Sequence, residues 1–216
     1  AVSSSILNFP SEDHILKQPF GVVLIISPWN YPLLLAIQPI ISAIAAGNCV
    51  ILKPSEISAN TSAVLSNMLN SIFDAEFVTV VEGDVEVTTR LLEQKFDKIF
   101  FTGSTQVGKI IQRKAADNLT PTVLELGGKS PCVISSSANL DIAAKRIVFG
   151  KFVNAGQTCI APDFIWIHES IKDKFIEILK NTIFSFYGND IENNKDYPRI
   201  INKKQFERLK SYLTNG

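Results

Sequence analysis

The chain has 216 residues, of which 46% are hydrophobic and 19% charged, and this balance excludes intrinsic disorder as the default state. Lysine plus arginine and aspartate plus glutamate each number 21, so the net charge of zero argues against a nucleic-acid-binding surface or a polybasic membrane patch. The three cysteines form no Cys-x-x-Cys pair, which argues against a disulfide framework or a zinc site. We therefore expect no metal and a reduced, cytoplasmic setting.

No membrane segment is expected either. The longest apolar stretch, residues 33–46, is interrupted by Gln38, Pro39 and Ser42 and falls short of the roughly 18 residues that a membrane span needs. The chain opens without an initiator methionine and stops directly after a helical pattern, so we expect it to be a fragment.

Strand-like and helix-like runs alternate from residue 21 onward. Residues 21–27 form a short apolar, β-branched run, which is typical of a strand buried on both faces. Further strands are predicted at 49–52, 77–81, 98–101 and 122–126, with helices at 33–46, 58–73, 85–94 and 106–116. This alternation predicts an α/β fold with a doubly wound, Rossmann-like parallel sheet, whose ligands bind at one edge.

A smaller α/β unit is predicted after the Gly127–Gly128 pair. Its strands are expected at 132–135 and 164–168, its helices at 142–154 and 172–186, and a charged helical tail at 197–213. The first 20 residues resemble an extended arm rather than core.

Four short segments of polar and glycine residues follow predicted strands, and a fifth lies in the second unit. They are Pro-Trp-Asn-Tyr at 28–31, Lys-Pro-Ser-Glu at 53–56, Phe-Thr-Gly-Ser-Thr-Gln-Val-Gly at 101–108, Glu-Leu-Gly-Gly-Lys at 125–129 and Gly-Gln-Thr-Cys at 156–159. Because loops at the carboxyl edge of a parallel sheet form its ligand crevice, we expect the chemistry to lie here.

Cys159 is the candidate nucleophile. A cysteine taken alone is more often a small buried hydrophobic residue, and we assign that role to Cys49 and Cys132, which lie inside strand patterns. Cys159 follows Gly-Gln-Thr and precedes Pro162, so we expect a turn to expose it. A nucleophilic thiol needs such access.

Glu125 and Asn30 are the candidate base and the candidate oxyanion donor. A glutamate within an apolar strand end is unusual, because a buried carboxylate is costly without a partner. Glu125 is therefore either a capped or salt-bridged structural residue or a general base whose pKa is raised by burial. Asn30 is either a turn residue or a donor of amide hydrogens to an oxyanion.

Two segments admit either a structural or a ligand-binding interpretation. Lys53 and Glu56 lie three residues apart at a strand-to-helix turn, where an ion pair is the plain structural interpretation. The segment 103–108 does not match the G-x-G-x-x-G pattern. It is either an ordinary loop in which Ser104 or Thr105 caps the next helix, or an anion site at that helix N-terminus.

Together, the five segments in this order resemble the aldehyde dehydrogenase superfamily. The longer stretches I-S-P-W-N-Y-P, L-E-L-G-G-K-S-P-C and G-Q-T-C-I-A-P-D are most similar to its class 3 branch. The resemblance runs from about residue 18 to the C-terminus. It implies an arm at 1–20, a dinucleotide-binding domain at 21–126 and the first part of a catalytic domain at 127–216. The family's stretch that grips the nicotinamide ribose is absent here.

The resemblance implies an enzyme that oxidises an aldehyde with NAD or NADP. Cys159 would attack the aldehyde carbon, Asn30 and a backbone N–H would stabilise the oxyanion, and Glu125 would activate the water that releases the acid. The implied cofactor-binding residues are Trp29, Lys53, Glu56, Gly103, Ser104, Val107, Gly108, Leu126 and Gly127. A homo-oligomer, a dimer in the full-length protein, is also implied.

Two alternatives remain open from the sequence. A cysteine hydrolase would need a histidine near Cys159, and no motif segment contains one. The second alternative is a catalytically incompetent fragment that only binds nucleotide, because the remaining half of the family's sequence is missing.

Overall fold

The computed structural model describes residues 5–214, and the chain forms two compact units, Ala1–Glu125 and Leu126–Gly216. The first unit is built on a five-stranded sheet in the order β3-β2-β1-β4-β5. Every neighbouring pair of these strands is parallel. The strands are β1 (Val22–Ile26), β2 (Cys49–Lys53), β3 (Val78–Val80), β4 (Lys98–Thr102) and β5 (Thr122–Glu125).

Strand β1 lies at the centre of the sheet, and four of its five residues are buried. Residues 23–26 are all buried, as expected for an apolar run with helices on both faces. Ile26 of β1 is paired in register with Lys53 of β2 on one side and with Phe101 of β4 on the other. The carboxyl ends of β1, β2 and β4 therefore meet at one edge.

Four helices follow the strands of the first unit. They are α1 (Leu34–Ala45), α2 (Ala59–Ile72), α3 (Val85–Leu92) and α4 (Thr105–Asp117). Alternate residues of β1, Val23 and Ile25, pack with apolar residues of α1 and α2, while α4 packs on β4 and β5. The Asp84 carboxylate caps α3 by accepting from the N–H groups of Glu86 and Val87.

Residues 5–20 are mostly exposed and contain one short 3₁₀ turn, Ile6–Asn8. The end of this segment is bound to the rest of the first unit through Asn48, whose side chain is buried. Asn48 Oδ1 accepts from Phe20 N–H at 2.7 Å and from Gly21 N–H at 3.1 Å, and Nδ2 donates to the Ala43 carbonyl at 3.0 Å.

The second unit is a smaller α/β layer. Its elements are the parallel strands β6 (Ser130–Ile134) and β7 (Pro162–Ile167) and the helices α5 (Leu140–Phe152), α6 (Lys172–Tyr187) and α7 (Lys203–Thr214). One face of the strand pair, with Ile134 and Ile165, packs on α5 and α6. The other face is open, because Val133 and Trp166 are exposed.

The predicted α/β fold, a Rossmann-like parallel sheet followed by part of a second α/β unit, is confirmed. Several boundaries in the second unit were wrong, and its two strands each begin two residues earlier than predicted, at Ser130 and Pro162. The predicted helix at 142–154 starts earlier, because Asn139 caps it, and ends at Phe152. The predicted helical tail at 197–213 begins only at Lys203, in part because a residue before proline, as Tyr197 is, avoids the helical region.

Candidate active site

The carboxyl edge of the first sheet carries the predicted cofactor residues of the first unit. The strand order reverses direction between β1 and β4, and ligands of such sheets bind in the crevice at that point. The loop after β1 holds Trp29 and Asn30, both half-buried, and Asn30 has interaction partners within the structure. The loop after β4 holds Gly103 and Ser104.

Lys53 and Glu56 form an ion pair at the end of β2. The Lys53 side chain is only 2% exposed, whereas that of Glu56 is 42% exposed, and Lys53 Nζ lies 3.5 Å from Glu56 Oε2. Lys53 Nζ also donates to the Pro54 carbonyl at 2.8 Å. The buried ammonium is thus held by two acceptors, and it orients a carboxylate that faces solvent.

Ser27, at the carboxyl end of β1, carries an orphaned hydroxyl. Its N–H donates to the Lys53 carbonyl at 3.1 Å, so it lies beside the end of β2. Among residues 5–214, Ser27 Oγ is a buried side-chain atom that has no hydrogen-bond partner. Leaving a buried hydroxyl unsatisfied costs about 1–3 kcal/mol, so such groups are usually matched by a ligand or an ordered water.

Helix α4 begins at the end of β4 with a side-chain cap. Ser104 Oγ accepts from Val107 N–H at 3.3 Å, and the Ser104 carbonyl accepts from Gly108 N–H at 2.9 Å. Of the two predicted caps, Ser104 is the one that forms. A larger residue would not fit easily at position 103, because a Cβ on Gly103 would lie 2.5 Å from the Phe101 ring. The capped N-terminus is suited to an anion.

Glu125 ends β5, at the edge of the sheet, and its carbonyl accepts from Gly103 N–H at 2.9 Å. The expectation that its side chain is buried was wrong: Glu125 is exposed. The reason is its place in the fold, since β5 has a neighbouring strand on one side only and Glu125 is its last residue.

The glycines after β5 differ in what surrounds them. Leu126 is half-buried and Gly127 is exposed, with nothing within 4 Å of a Cβ built on it. A Cβ on Gly128 would lie 2.7 Å from the Cys159 carbonyl oxygen. Gly128 therefore allows the backbone of the Cys159 turn to approach closely.

Cys159 is exposed in a turn, as predicted, whereas Cys49 in β2 and Cys132 in β6 are half-buried. The turn follows three consecutive residues with left-handed backbone, namely Asn154 at φ 53°, Ala155 at φ 52° and Gly156 at φ 75°. A left-handed residue other than glycine costs about 1–2 kcal/mol, so tertiary contacts must hold this segment in place.

Gln157 supplies such contacts. Its Nε2 donates to the Asn154 carbonyl at 3.0 Å and to the Arg199 carbonyl at 3.2 Å. Its Oε1 accepts from Ile201 N–H at 3.0 Å. The side-chain amide thus bonds one segment 42 to 44 residues away with both its donor and its acceptor.

An aromatic series lies beside the same segment. The Phe152 and Tyr187 ring centroids are 5.6 Å apart, and those of Tyr187 and Tyr197 are 5.2 Å apart. Burial raises the pKa of Tyr187 above its usual 10.0, and the charge of Tyr197 adds to this rise. Burial likewise raises the pKa of Tyr197, while nearby Arg199 acts in the opposite direction.

Sequence reasoning missed Ser27 and the amide contacts of Gln157. Ser27 stands at the junction of an apolar strand and a proline, a place where a polar residue marks the ligand edge of a parallel sheet. The left-handed turn also had a signal, because asparagine and glycine flank Ala155 and both tolerate positive φ.

The residues present at the carboxyl edge fit a dinucleotide. An orphaned hydroxyl at Ser27, an outward carboxylate at Glu56 and the capped start of α4 offer partners for ribose hydroxyls and a pyrophosphate. Over residues 5–214, no cluster of three His, Cys, Asp or Glu side chains could hold a metal ion. Within the same range, no helix combines the length and the apolar character needed to span a membrane.

Comparisons with known proteins agree on one family. Residues 5–216 match the model of the aldehyde dehydrogenase family. The chain is 51% identical to aldehyde dehydrogenase family 3 member A2 of Pongo abelii, over 98% of this chain and 44% of that protein. It is 49% identical to the dimeric NADP-preferring aldehyde dehydrogenase of Rattus norvegicus, over 94% of this chain and 45% of that protein.

A solved structure gives the same result. The substrate-bound Staphylococcus aureus AldH superposes with a TM-score of 0.91 and 48% identity, over 99% of this chain and 46% of that one. The chain thus spans less than half the length of these proteins. Sequence and fold agree over nearly all of this chain, which therefore belongs to the aldehyde dehydrogenase family.

Proposed function

We propose that the protein oxidises an aldehyde to a carboxylic acid with NAD or NADP, through a thioester on Cys159. The observation that carries the proposal is the position of Cys159, an exposed thiol on a braced, left-handed turn, in a chain whose other two thiols are half-buried in strands. Family membership and the strand order of the first sheet support the same activity.

Cys159 performs the covalent chemistry. Its sulfur attacks the carbonyl carbon, so that a C–S bond forms while the C=O π electrons move to oxygen. When bound, NAD or NADP accepts the hydride that leaves this carbon. Water then adds to the thioester and the C–S bond breaks, which yields the carboxylate and restores the thiol.

Asn30 and Glu125 assist this sequence. The Asn30 amide stabilises the negative oxygen formed on attack, together with a backbone N–H at Cys159. Glu125 takes a proton from the water that attacks the thioester. Its exposed carboxylate at the end of β5 is open to solvent, from which that water comes.

The carboxyl edge of the first sheet holds the cofactor. Lys53 and Glu56 bind the adenosine ribose, and the start of α4 at Ser104 and Val107, with Gly103 and Gly108, accepts the pyrophosphate. Trp29, Leu126 and Gly127 line the remainder of the cofactor site.

We also infer a cytoplasmic homodimer. The rat relative is named a dimeric enzyme. The three free cysteines support a reducing compartment. The net charge of zero argues against nucleic-acid binding.

The test follows NADH formation from hexanal in an enzyme that extends this chain to the length of its relatives. Cys159→Ser is expected to leave less than about 1% of the rate, because loss of a covalent nucleophile lowers kcat by orders of magnitude. Cys132→Ser, at a half-buried thiol of β6, is the matched control and is expected to keep most of the activity. Retention of the rate by Cys159→Ser contradicts the proposal.

The chain of 216 residues gives a second test. It is expected to bind NADH weakly and to oxidise hexanal negligibly, since a misplacement of about 1 Å can cost a hundredfold in rate and the relatives are more than twice as long. Ester cleavage at Cys159 would not separate the two activities, because the thiol of a dehydrogenase can also be acylated by an ester. A cysteine hydrolase would be favoured if the full-length enzyme cleaved esters but formed no NADH from hexanal.

A further inference from the structure

One distant loop makes contacts at two places near the turn that carries Cys159, and the first of them is on the turn itself. We call residues 188–202 the brace loop; it joins the end of α6 to the start of α7. At the first place the Gln157 amide bonds the Arg199 carbonyl and the Ile201 N–H. At the second, the Tyr197 ring packs against Tyr187, which packs against Phe152 at the end of α5.

The brace loop is itself held together by one guanidinium. Arg199 donates to the Tyr197 carbonyl at 2.8 Å and to the Asn194 carbonyl at 3.3 Å, and also to the carbonyl of Glu192. Asn194 in turn donates to the Tyr187 carbonyl at 3.0 Å. The loop therefore has a defined shape without any regular secondary structure.

The supported segment needs such contacts. Asn154 and Ala155 adopt positive φ, which costs free energy for residues with a Cβ, and a Cβ on Gly156 would lie 3.1 Å from the Lys151 carbonyl. Gln157 Nε2 donates to the Asn154 carbonyl and to the Arg199 carbonyl, so one amide group links the strained residues to the brace loop.

We propose that Gln157 is a positioning residue, which transmits the shape of the brace loop to the Cys159 turn. This role rests on the proposed function of Cys159, because a nucleophile must be held in a reactive geometry. Gln157 itself touches no reacting atom in this scheme. It acts through Asn154 on one side and through Arg199 and Ile201 on the other.

The first experiment measures amide hydrogen exchange in the 216-residue chain by NMR. Gln157→Met keeps the length of the side chain and removes its donor and acceptor. Exchange is expected to accelerate at least about tenfold at Ile201, whose N–H loses its acceptor. It is also expected to accelerate at Ala161, whose N–H donates to the Thr158 carbonyl across the Cys159 turn.

The control is Gln205→Met, the same change at a half-buried glutamine of α7, whose Oε1 accepts from Arg208 Nε at 2.8 Å. It is expected to leave Ala161 unchanged. Acceleration at Ile201 alone would show that Gln157 ties down the brace loop without supporting the turn, and would overturn the proposal. No acceleration at either amide would overturn it as well.

A second variant changes the brace loop instead of Gln157. Arg199→Met loosens the brace loop while Gln157 stays in place, and a smaller acceleration at Ala161 is expected. An unchanged Ala161 in this variant would contradict transmission through the loop. The variant also keeps the test decisive if Gln157→Met does not fold.

The second experiment measures kinetics in the enzyme extended to the relatives' length, with hexanal and NAD. Gln157→Met is expected to lower kcat about tenfold to a hundredfold, while KM for hexanal changes less than about threefold. An unchanged kcat would overturn the positioning role. If the parent enzyme oxidises no aldehyde, the proposed function fails, but the exchange data still decide whether the brace exists.

Discussion

The two units of this chain differ in how completely the faces of their parallel sheets are covered. In the first unit, residues 23–26 of β1 are all buried, and a helix follows each of the strands β1 to β4. In the second, Ile134 and Ile165 face α5 and α6, whereas Val133 and Trp166, paired in register, are 70% and 65% exposed. Parallel sheets normally have both faces covered.

The difference teaches where each unit gets its stability. The first unit has a closed core, so its stability depends on packing around β1 and β2. The second unit leaves an apolar patch at Val133, Phe164 and Trp166, and a patch of this kind favours association. The tryptophans Trp29 and Trp166 lie in different units, so each unit can be followed by the fluorescence of one residue.

The largest effect is expected from a cavity in the closed core. Leu52 of β2 is fully buried in the cluster that β2 forms with α1 and α2. Leu52→Ala should therefore lower the free energy of unfolding by about 2–5 kcal/mol. Urea unfolding, followed by Trp29 fluorescence in a Trp166→Phe background, measures this cost. Val133→Ala, on the open face of the second unit, serves as the control; it is followed by Trp166 fluorescence in a Trp29→Phe background and should shift the midpoint little. Equal losses would contradict the contrast between the units.

The next largest effect concerns association of the chain through the open face. Trp166→Glu places a charge in the exposed patch and should shift the 216-residue chain toward monomer in analytical ultracentrifugation. Val64→Glu changes a residue of the first unit with similar exposure, 61%, and should leave the distribution as it was. Association that is equally sensitive to both changes would remove the distinction between the two surfaces.

A moderate effect is expected at the cofactor edge of the first unit. A carboxylate near the ribose repels a 2′-phosphate, and two charges 4 Å apart in water interact by about 1 kcal/mol, or roughly fivefold in affinity. Glu56→Gln should therefore improve NADPH binding relative to NADH by about that factor, measured by energy transfer from Trp29. Glu177→Gln is the matched control, since Glu177 pairs with Lys180 at 3.0 Å with the same spacing in the second unit. An unchanged ratio in Glu56→Gln would mean that Glu56 does not face the ribose.

The smallest effect is expected at alkaline pH and only in the second unit. The folded-state pKa values of Tyr187 and Tyr197 are raised above 10.0, so their contribution to stability is present below pH 10 and is lost as the pH rises through the raised values. Replacing both by phenylalanine should reduce the alkaline loss of stability, followed by Trp166 fluorescence in a Trp29→Phe background. Tyr212→Phe, at an exposed ring of α7, should not change it.

The sequence predicts the first unit well because its signals are local. The apolar run of β1 and the cap at Ser104 are readable within a few residues, and both form. The second unit depends more on contacts distant in sequence. Gln157 and Arg199 lie 42 residues apart, and no local pattern indicates that an amide joins them.

Glu125 marks a second boundary of what a sequence can predict. Its apolar neighbours in the chain indicate burial, yet burial depends on which strands and helices lie beside β5. In this structure β5 is the edge strand and the side chain is exposed. Similarly, Ala155 has no intrinsic preference for positive φ, and its conformation is imposed by the tertiary structure around it.

The central position of β1 has a consequence for synthesis of the chain. Val22 N–H donates to the Asp97 carboxylate at 2.8 Å, across 75 residues, next to the pairing of β1 with β4. At translation rates of about 5–20 residues per second, β4 is made roughly 4–15 s after β1. During this interval a newly made β1 has a partner on one side at most, and its second edge stays open to other nascent chains. For the protein to fold correctly, β1 must therefore avoid pairing with other chains until β4 has been synthesised.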